Sequence, residues 1–355
     1  MQPKKFERGR KPVLKHFCLL RLGGLKELLH SLPTVNVLSK VIKNRSLTFI
    51  MRPEYAELMQ YAKGIDQIFT FKPSWNFFHN AHESIRLKNS IGFQIDTFIN
   101  LEATSATKQF ASNLKAKDYY ELKTKINPEE HLWMSYAKSY FHPQDLKDYL
   151  DFYSLEEFFP LIRIPKQISG LLADKLELKP EVKTIALIPG SNNPNLAWPL
   201  KNWVSLFKLL ENREEPRGGN KSEENKFRLL LIGEDKDVSL CDDLIWELPG
   251  ISKLKVSNLS GKLDLLSTAT VLSKCDLVIG GDTDLLHLAA AVGSKVLGLF
   301  GPSSPVLNAP FTGAAIQAAD YECAKTCKET KCTKKILNCM ESLSAEEVWL
   351  AMSEV

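Results

Sequence analysis

Strand-length apolar runs alternate with helix-length amphipathic stretches from one end of the chain to the other, and the alternation restarts near the middle. That order of elements builds parallel sheets with helices on both faces. In the first half "LKHFCLLRL" (14–22), "SLTFIM" (46–51), "IDQIFTF" (65–71) and "IDTFINL" (95–101) read as strands. Between them, "PEYAELMQYAK" from Pro53 reads as a helix with proline at its first position. In the second half "TIALIPG" (184–190), "FRLLLIG" (227–233), "CDLVIGG" (275–281) and "KVLGLFG" (295–301) repeat the strand pattern. The proline-bearing bridge "FFPLIRIPKQ" (158–167) is expected to be the linker.

At 355 residues the chain has room for two domains, each with its own core. The expected division is an N-terminal domain over 1–165, a C-terminal domain over 166–340, and a final helix over 341–355 that packs back on the N-terminal domain. That helix begins "SAEEVWLAM", with Ser344 as its cap and Glu347 three places on. Hydrophobic residues at 44% and charged residues at 25% exclude a largely disordered chain. The net charge of +4 argues neither for nor against nucleic acid, and no nucleic-acid-binding motif is present, so no nucleic-acid partner is expected.

No run approaches the roughly 18 apolar residues of a membrane span. "HFCLLRLGGLKELLHSL" is broken by Arg21, Lys26 and Glu27 and lacks a signal-peptidase site. A cytoplasmic protein is expected. The basic residues Lys4, Lys5, Arg8, Arg10, Lys11 and Lys15 form a solvated tail that allows peripheral contact with anionic lipid at the inner membrane. Of the seven cysteines, Cys18, Cys241 and Cys275 sit in buried apolar patterns. Cys323, Cys327, Cys332 and Cys339 have three, four and six residues between them, unlike the paired spacing of most zinc sites; reduced structural thiols are favoured over a metal or disulfides.

Three segments carry candidate chemistry. "GGDTDLLHLAAA" (280–291) follows a strand and opens a helix. Asp282 or Thr283 can cap that helix, Gly293 can end it, and its first N–H groups can receive an anion. His287 in such a helix is ordinarily a buried, hydrogen-bonded histidine. "LIPGSNNPNLAWPLKNW" from Leu187 brings Ser191, Asn192 and Asn193 after a strand, with groups suited to sugar or phosphate oxygens and equally to a polar turn. "RLGGLKELLHSLP" from Arg21 sets Lys26 and Glu27 in the first turn of a helix, without the GxGxxG of dinucleotide binders.

In this order the three segments, with "DTFINLEATS" (96–105) and the tail "NCMESLSAEEV", resemble glycosyltransferase family 9, the lipopolysaccharide heptosyltransferases. The resemblance implies a GT-B fold, two Rossmann-like domains facing each other across a cleft. It implies an inverting, metal-independent transfer of a heptose-like sugar from an ADP-linked donor to a lipopolysaccharide-core or related lipid-linked glycan, with no cofactor.

Glu27 then matches the catalytic base, with Arg21 and Lys26 on the acceptor side. The donor would meet Ser191, Asn192, Asp282, Thr283, Asp284, Leu285 and His287, with Asp237 on the ribose. Three positions depart from the family pattern: Glu27 stands for an aspartate, Leu196 for the lysine of "K-x-W-P", and Asp284 for a glycine. Those departures keep a second expectation open, a binding or scaffold protein of envelope-glycan assembly that has lost transfer.

Overall fold

The computed structural model describes residues 14–74, 77–102, 104–122, 129–142, 146–147, 159–178, 181–211, 227–248, 254–318 and 338–355. The basic residues from Lys4 to Lys11, and Cys323, Cys327 and Cys332, lie outside the described residues. The chain divides into two compact units, one over 1–126 and 133–153, the other over 127–132 and 154–355. The expected linker therefore belongs to the second unit. Leu161 and Ile162 are fully buried and the Ile162 amide donates to the Ala291 carbonyl, so the bridge is a packed part of that unit.

The first unit runs β1 (Lys15–Leu20), α1 (Leu25–Val41), β2 (Arg45–Met51), α2 (Ala56–Met59), β3 (Gln67–Thr70), α3 (Phe77–Ile91), β4 (Thr97–Asn100), α4 (Ser105–Leu114), β5 (Asp118–Glu121) and α5 (Leu132–Ala137). Its strands form one parallel sheet in the order β3-β2-β1-β4-β5. Cys18, Leu20, Ile50, Phe98 and Phe110 fill one side of it. The helix expected from Pro53 is a single turn of 3-10 helix, Pro53–Tyr55, continued only by the four residues of α2. That helix ends at its cap, Gln60, and the chain turns at Gly64, whose φ is 83°.

The second unit runs α6 (Lys166–Lys175), β6 (Lys183–Ile188), α7 (Leu200–Glu211), β7 (Phe227–Leu231), α8 (Val238–Trp246), β8 (Lys255–Asn258), α9 (Leu265–Leu272), β9 (Leu277–Gly281), α10 (Asp284–Ala291), β10 (Val296–Phe300), α11 (Pro305–Asn308), β11 (Ala314–Gln317), α12 (Asn338–Ser342) and α13 (Ala345–Met352). Its parallel sheet has the order β8-β7-β6-β9-β10-β11. From β6 the chain builds outward through β7 and β8, then returns to add β9 on the other side of β6. In sheets of this topology the carboxyl ends at that reversal open into a crevice.

One joint recurs in both sheets. Asp66 accepts from the Leu47 amide at 2.7 Å, Asp96 from the His16 amide at 2.9 Å, and Asp276 from the Thr184 amide at 2.8 Å. In each case an aspartate just before one strand clasps the amino end of its neighbour, β3 to β2, β4 to β1, and β9 to β6. These backbone donors lie before or at the start of the ladder, where a carboxylate replaces water as the acceptor.

Ser344 caps α13 and closes a capping box with Glu347. The helix packs on α7 of its own unit, with Val348 in that unit's core. Trp198 Nε1 and Asn202 Nδ2 both donate to the Leu343 carbonyl, at 2.8 and 2.9 Å, which fixes the approach.

Cys18, Cys241 and Cys275 are buried, as their patterns indicate. Burial pushes all three thiols up, Cys241 to about 11 and Cys275 to about 12, so they stay protonated and unreactive.

Candidate functional site

The crevice of the second unit is assembled from the turns after β6, β7 and β9. Its closeness depends on glycine. A Cβ on Gly280 would press on Ile188 Cβ at 2.8 Å, and one on Gly281 would collide with the Leu196 carbonyl oxygen. The Gly280–Gly281 pair thus lets β9 and the loop after β6 approach without side chains between them.

Beyond Gly281, Thr283 is the cap of α10: its hydroxyl accepts from the Leu286 amide. Asp282 turns inward and meets His287 Nε2 at 3.2 Å, with the two side chains 4% and 0% exposed. His287 is one turn along α10, so this pair staples the turn to its helix. Gly293, with a φ of 95°, ends α10 after Val292. The Leu286 and His287 amides both return to the Thr283 carbonyl. An anion at this end would meet the turn one residue earlier, at the Leu285 amide, where the Asp284 side chain is half-buried.

The loop after β6 is a tight polar turn. Ser191 Oγ accepts from the Asn193 amide at 3.2 Å and Asn193 Oδ1 from the Asn195 amide at 3.0 Å. Asn192 stands exposed, its Oδ1 accepting from Lys236 Nζ across the gap to the turn after β7.

Asp237 is built into the turn after β7. It is 8% exposed, and its Oδ2 accepts from the Glu234 amide at 2.9 Å in a capping box. A Cβ on Gly190 would collide with its carboxylate, and one on Gly233 would lie 2.8 Å from its Cβ. The side chain therefore pins the loops after β6 and β7 together and forms part of the crevice floor.

The first unit has its own cluster at the carboxyl end of β1. Arg21 Nη1 donates to the Leu101 carbonyl at 2.7 Å and to Glu102 Oε2 at 3.1 Å, and the same oxygen accepts from the Leu22 amide at 3.0 Å. The guanidinium lies over the Tyr136 ring, 5.2 Å from its centroid. Burial, opposed by Arg21 and reinforced by Glu27 and Glu102, pushes the Tyr136 hydroxyl up to about 12.

Cβ atoms added to Gly23 would meet Arg21 Nη2 at 3.0 Å and Glu27 Cβ at 3.2 Å; one on Gly24 would meet Glu27 Oε2 at 2.9 Å. The glycine pair is what lets Arg21 and Glu27 converge. Glu102 is held by two donors, whereas among the described residues no hydrogen bond holds the half-buried Glu27 carboxylate. Lys26 is half-buried beside it in the first turn of α1.

The structure thus brings Arg21, Lys26 and Glu27 together in one unit, and Ser191, Asn192, Asp282, Thr283, Asp284, Leu285 and His287 together in the other. Glu102, Tyr136 and Lys236 were not among the residues read from the sequence. Glu102 lies two residues past β4 and Lys236 in the turn that follows β7, and a place in a turn at a strand's carboxyl end was the available signal; Tyr136 carried none.

Residues 167–337 match the model of glycosyltransferase family 9 (heptosyltransferase). Lipopolysaccharide heptosyltransferase 2 of Salmonella typhimurium is 24% identical over 158 residues, which is 44% of this chain and 42% of that protein. The match to such curated relatives therefore spans less than half of their length. Among solved structures, a glycosyltransferase family 9 protein from Veillonella parvula superposes with a TM-score of 0.75 at 17% identity, covering 98% of each chain. The E. coli heptosyltransferase WaaC with ADP superposes with a TM-score of 0.65 at 15% identity, covering 96% of this chain and 99% of that one. These likenesses establish the GT-B fold.

Proposed function

We propose, from the match of residues 167–337 to the model of glycosyltransferase family 9, that the chain moves a heptose-like sugar from a nucleotide-sugar donor to a lipopolysaccharide-core or related envelope glycan. On this reading the donor is ADP-linked, as the ADP held by WaaC suggests, and transfer inverts the anomeric centre without a metal ion. The observation that carries it is the turn Gly281–Asp284 at the sheet's reversal point, stapled to α10 by the buried Asp282–His287 pair.

The departing diphosphate accumulates negative charge as its bond to the anomeric carbon breaks. A helix end held rigid in advance stabilises that charge without reorganising. On the acceptor, Glu27 takes the hydroxyl proton as the oxygen attacks, and its carboxylate, which no hydrogen bond holds among the described residues, is available for that step. Arg21, fastened by Glu102 and Tyr136, keeps a positive charge beside Glu27 and orders the turn that presents it.

Calorimetric titration with ADP, UDP and GDP tests the donor site; no binding at millimolar concentration refutes it. For the transfer itself, Glu27→Gln should lower turnover by about a hundredfold or more while nucleotide affinity stays the same. Equal loss of both would make Glu27 structural. Asp284 and Leu196, a carboxylate and an apolar side chain at positions this reading sets beside the diphosphate, keep open the second reading, a binding protein that has lost transfer. A chain that binds a nucleoside diphosphate yet turns over no sugar donor would establish it.

A further inference from the structure

We propose that Lys236 is the cation of the leaving-group site, acting from the end of β7 in place of the lysine that the family carries at position 196. The inference rests on the donor-site reading above and assigns a residue within it.

In the turns after β6 (189–199), β7 (232–237), β9 (282–283) and β10 (301–304), Lys236 is the only cationic side chain. Lys201, the nearest lysine along the chain from Leu196, is drawn off to Glu341 on α12 at 3.5 Å. Lys236 instead reaches toward the reversal point. Its Nζ donates to Asn192 Oδ1 in the loop after β6 and lies 2.8 Å from Glu234 Oε2.

That same loop, four residues on, rests its Leu196 carbonyl against Gly281 at the foot of the α10 turn. One short segment therefore touches Lys236 at one end and the anion-receiving turn at the other. Strands β7, β6 and β9 are consecutive neighbours, so the ends of β7 and β9 lie about 10 Å apart. From the turn after β7, Lys236 Nζ reaches the loop after β6, which lies between them.

The ammonium is available. Its side chain is 41% exposed, and Asn192 is a neutral partner that gives way to a phosphate oxygen more readily than a charged one. With Glu234 still beside it, Nζ would exchange the amide oxygen for the anion and offset the charge that Asp284 brings.

The test uses whichever of ADP, UDP and GDP binds best, together with its monophosphate and its nucleoside, at low salt. Lys236→Met should weaken the diphosphate about tenfold, the monophosphate less, and the nucleoside not at all, with an unchanged melting temperature. Lys236→Arg should restore most of the affinity. Equal losses for all three ligands, or no loss for the diphosphate, would overturn the assignment while leaving the donor site standing. A wild-type chain that binds none of them would overturn the donor site, and Lys236 with it.

Discussion

Replacing Asp284 isolates the electrostatic term at the donor site. The residue is the first of α10, next to the Thr283 cap, half-buried, and one step from the Leu285 amide. A diphosphate seated there would have its nearer charge about 5 Å from the carboxylate, where an effective dielectric of 20 gives a repulsion of about 3 kcal/mol. Partial exposure and counterions reduce this, and about half survives at low salt. Asp284→Asn should therefore tighten the best-binding nucleoside diphosphate about tenfold. Asp284→Gly should do at least as well, since it also removes the side chain.

Both variants lose a favourable acidic residue from the helix start, at a cost of about 0.3–1 kcal/mol to folding but not to binding. Titration at 20 mM and 500 mM salt is the assay, because screening shortens the reach of the repulsion and should shrink the gain. An affinity that stays the same or falls, or a gain that does not respond to salt, would refute the reasoning and turn the Asp284 carboxylate away from the phosphate.

Gly190→Ala should cost about 1–3 kcal/mol of stability, because its methyl collides with the Asp237 carboxylate that pins two loops. Denaturant unfolding reads the loss, and a fully stable variant would mean that Asp237 can leave its seat. Asp96 has its carboxyl held below the usual range, first by the Lys117 ammonium and then by the His16 amide. Its folded value lies below the unfolded value of about 3.9, so it stabilises the fold above that pH and stops doing so as pH falls through the lower folded value. Asp96→Asn should thus lower stability at pH 7 by about 1 kcal/mol, mostly because the His16 amide then donates to a neutral oxygen instead of a carboxylate, Lys117 being exposed. In acid unfolding the deficit should fade below pH 4; a deficit equal at pH 7 and pH 3 would contradict the sign.

Seven of the strands read from the sequence, β1, β2, β4, β6, β7, β9 and β10, carry apolar runs and are largely buried, and the eighth, β3, is an edge strand made legible by its apolar residues. Three that were not read, β5 "DYYE", β8 "KVSN" and β11 "AAIQ", are edge strands of four residues, at most partly buried, and their side chains give no apolar run to detect. At the site, the Thr283 cap and the Gly293 stop were legible because local backbone chemistry dictates them. The Asp237 seat and the reach of Lys236 to Asn192 were not, because both depend on which loops the strand order makes neighbours. Glu102 and Tyr136 are joined to Arg21 over 81 and 115 positions of chain, by contacts that no local pattern encodes.

The three aspartate clasps all lie along one border of their sheets, at the amino ends of the strands. That border is hemmed; at the opposite one, where the turns carry Glu27, Leu196, Lys236 and Asp284, the ties run through other residues, Glu102, Asp237 and the Asp282–His287 pair. Point changes at those four positions leave the hem, and the register it fixes, undisturbed. A chain built in this way can trade one donor for another, moving a positive charge from one turn to the next, without refolding its sheets to do so.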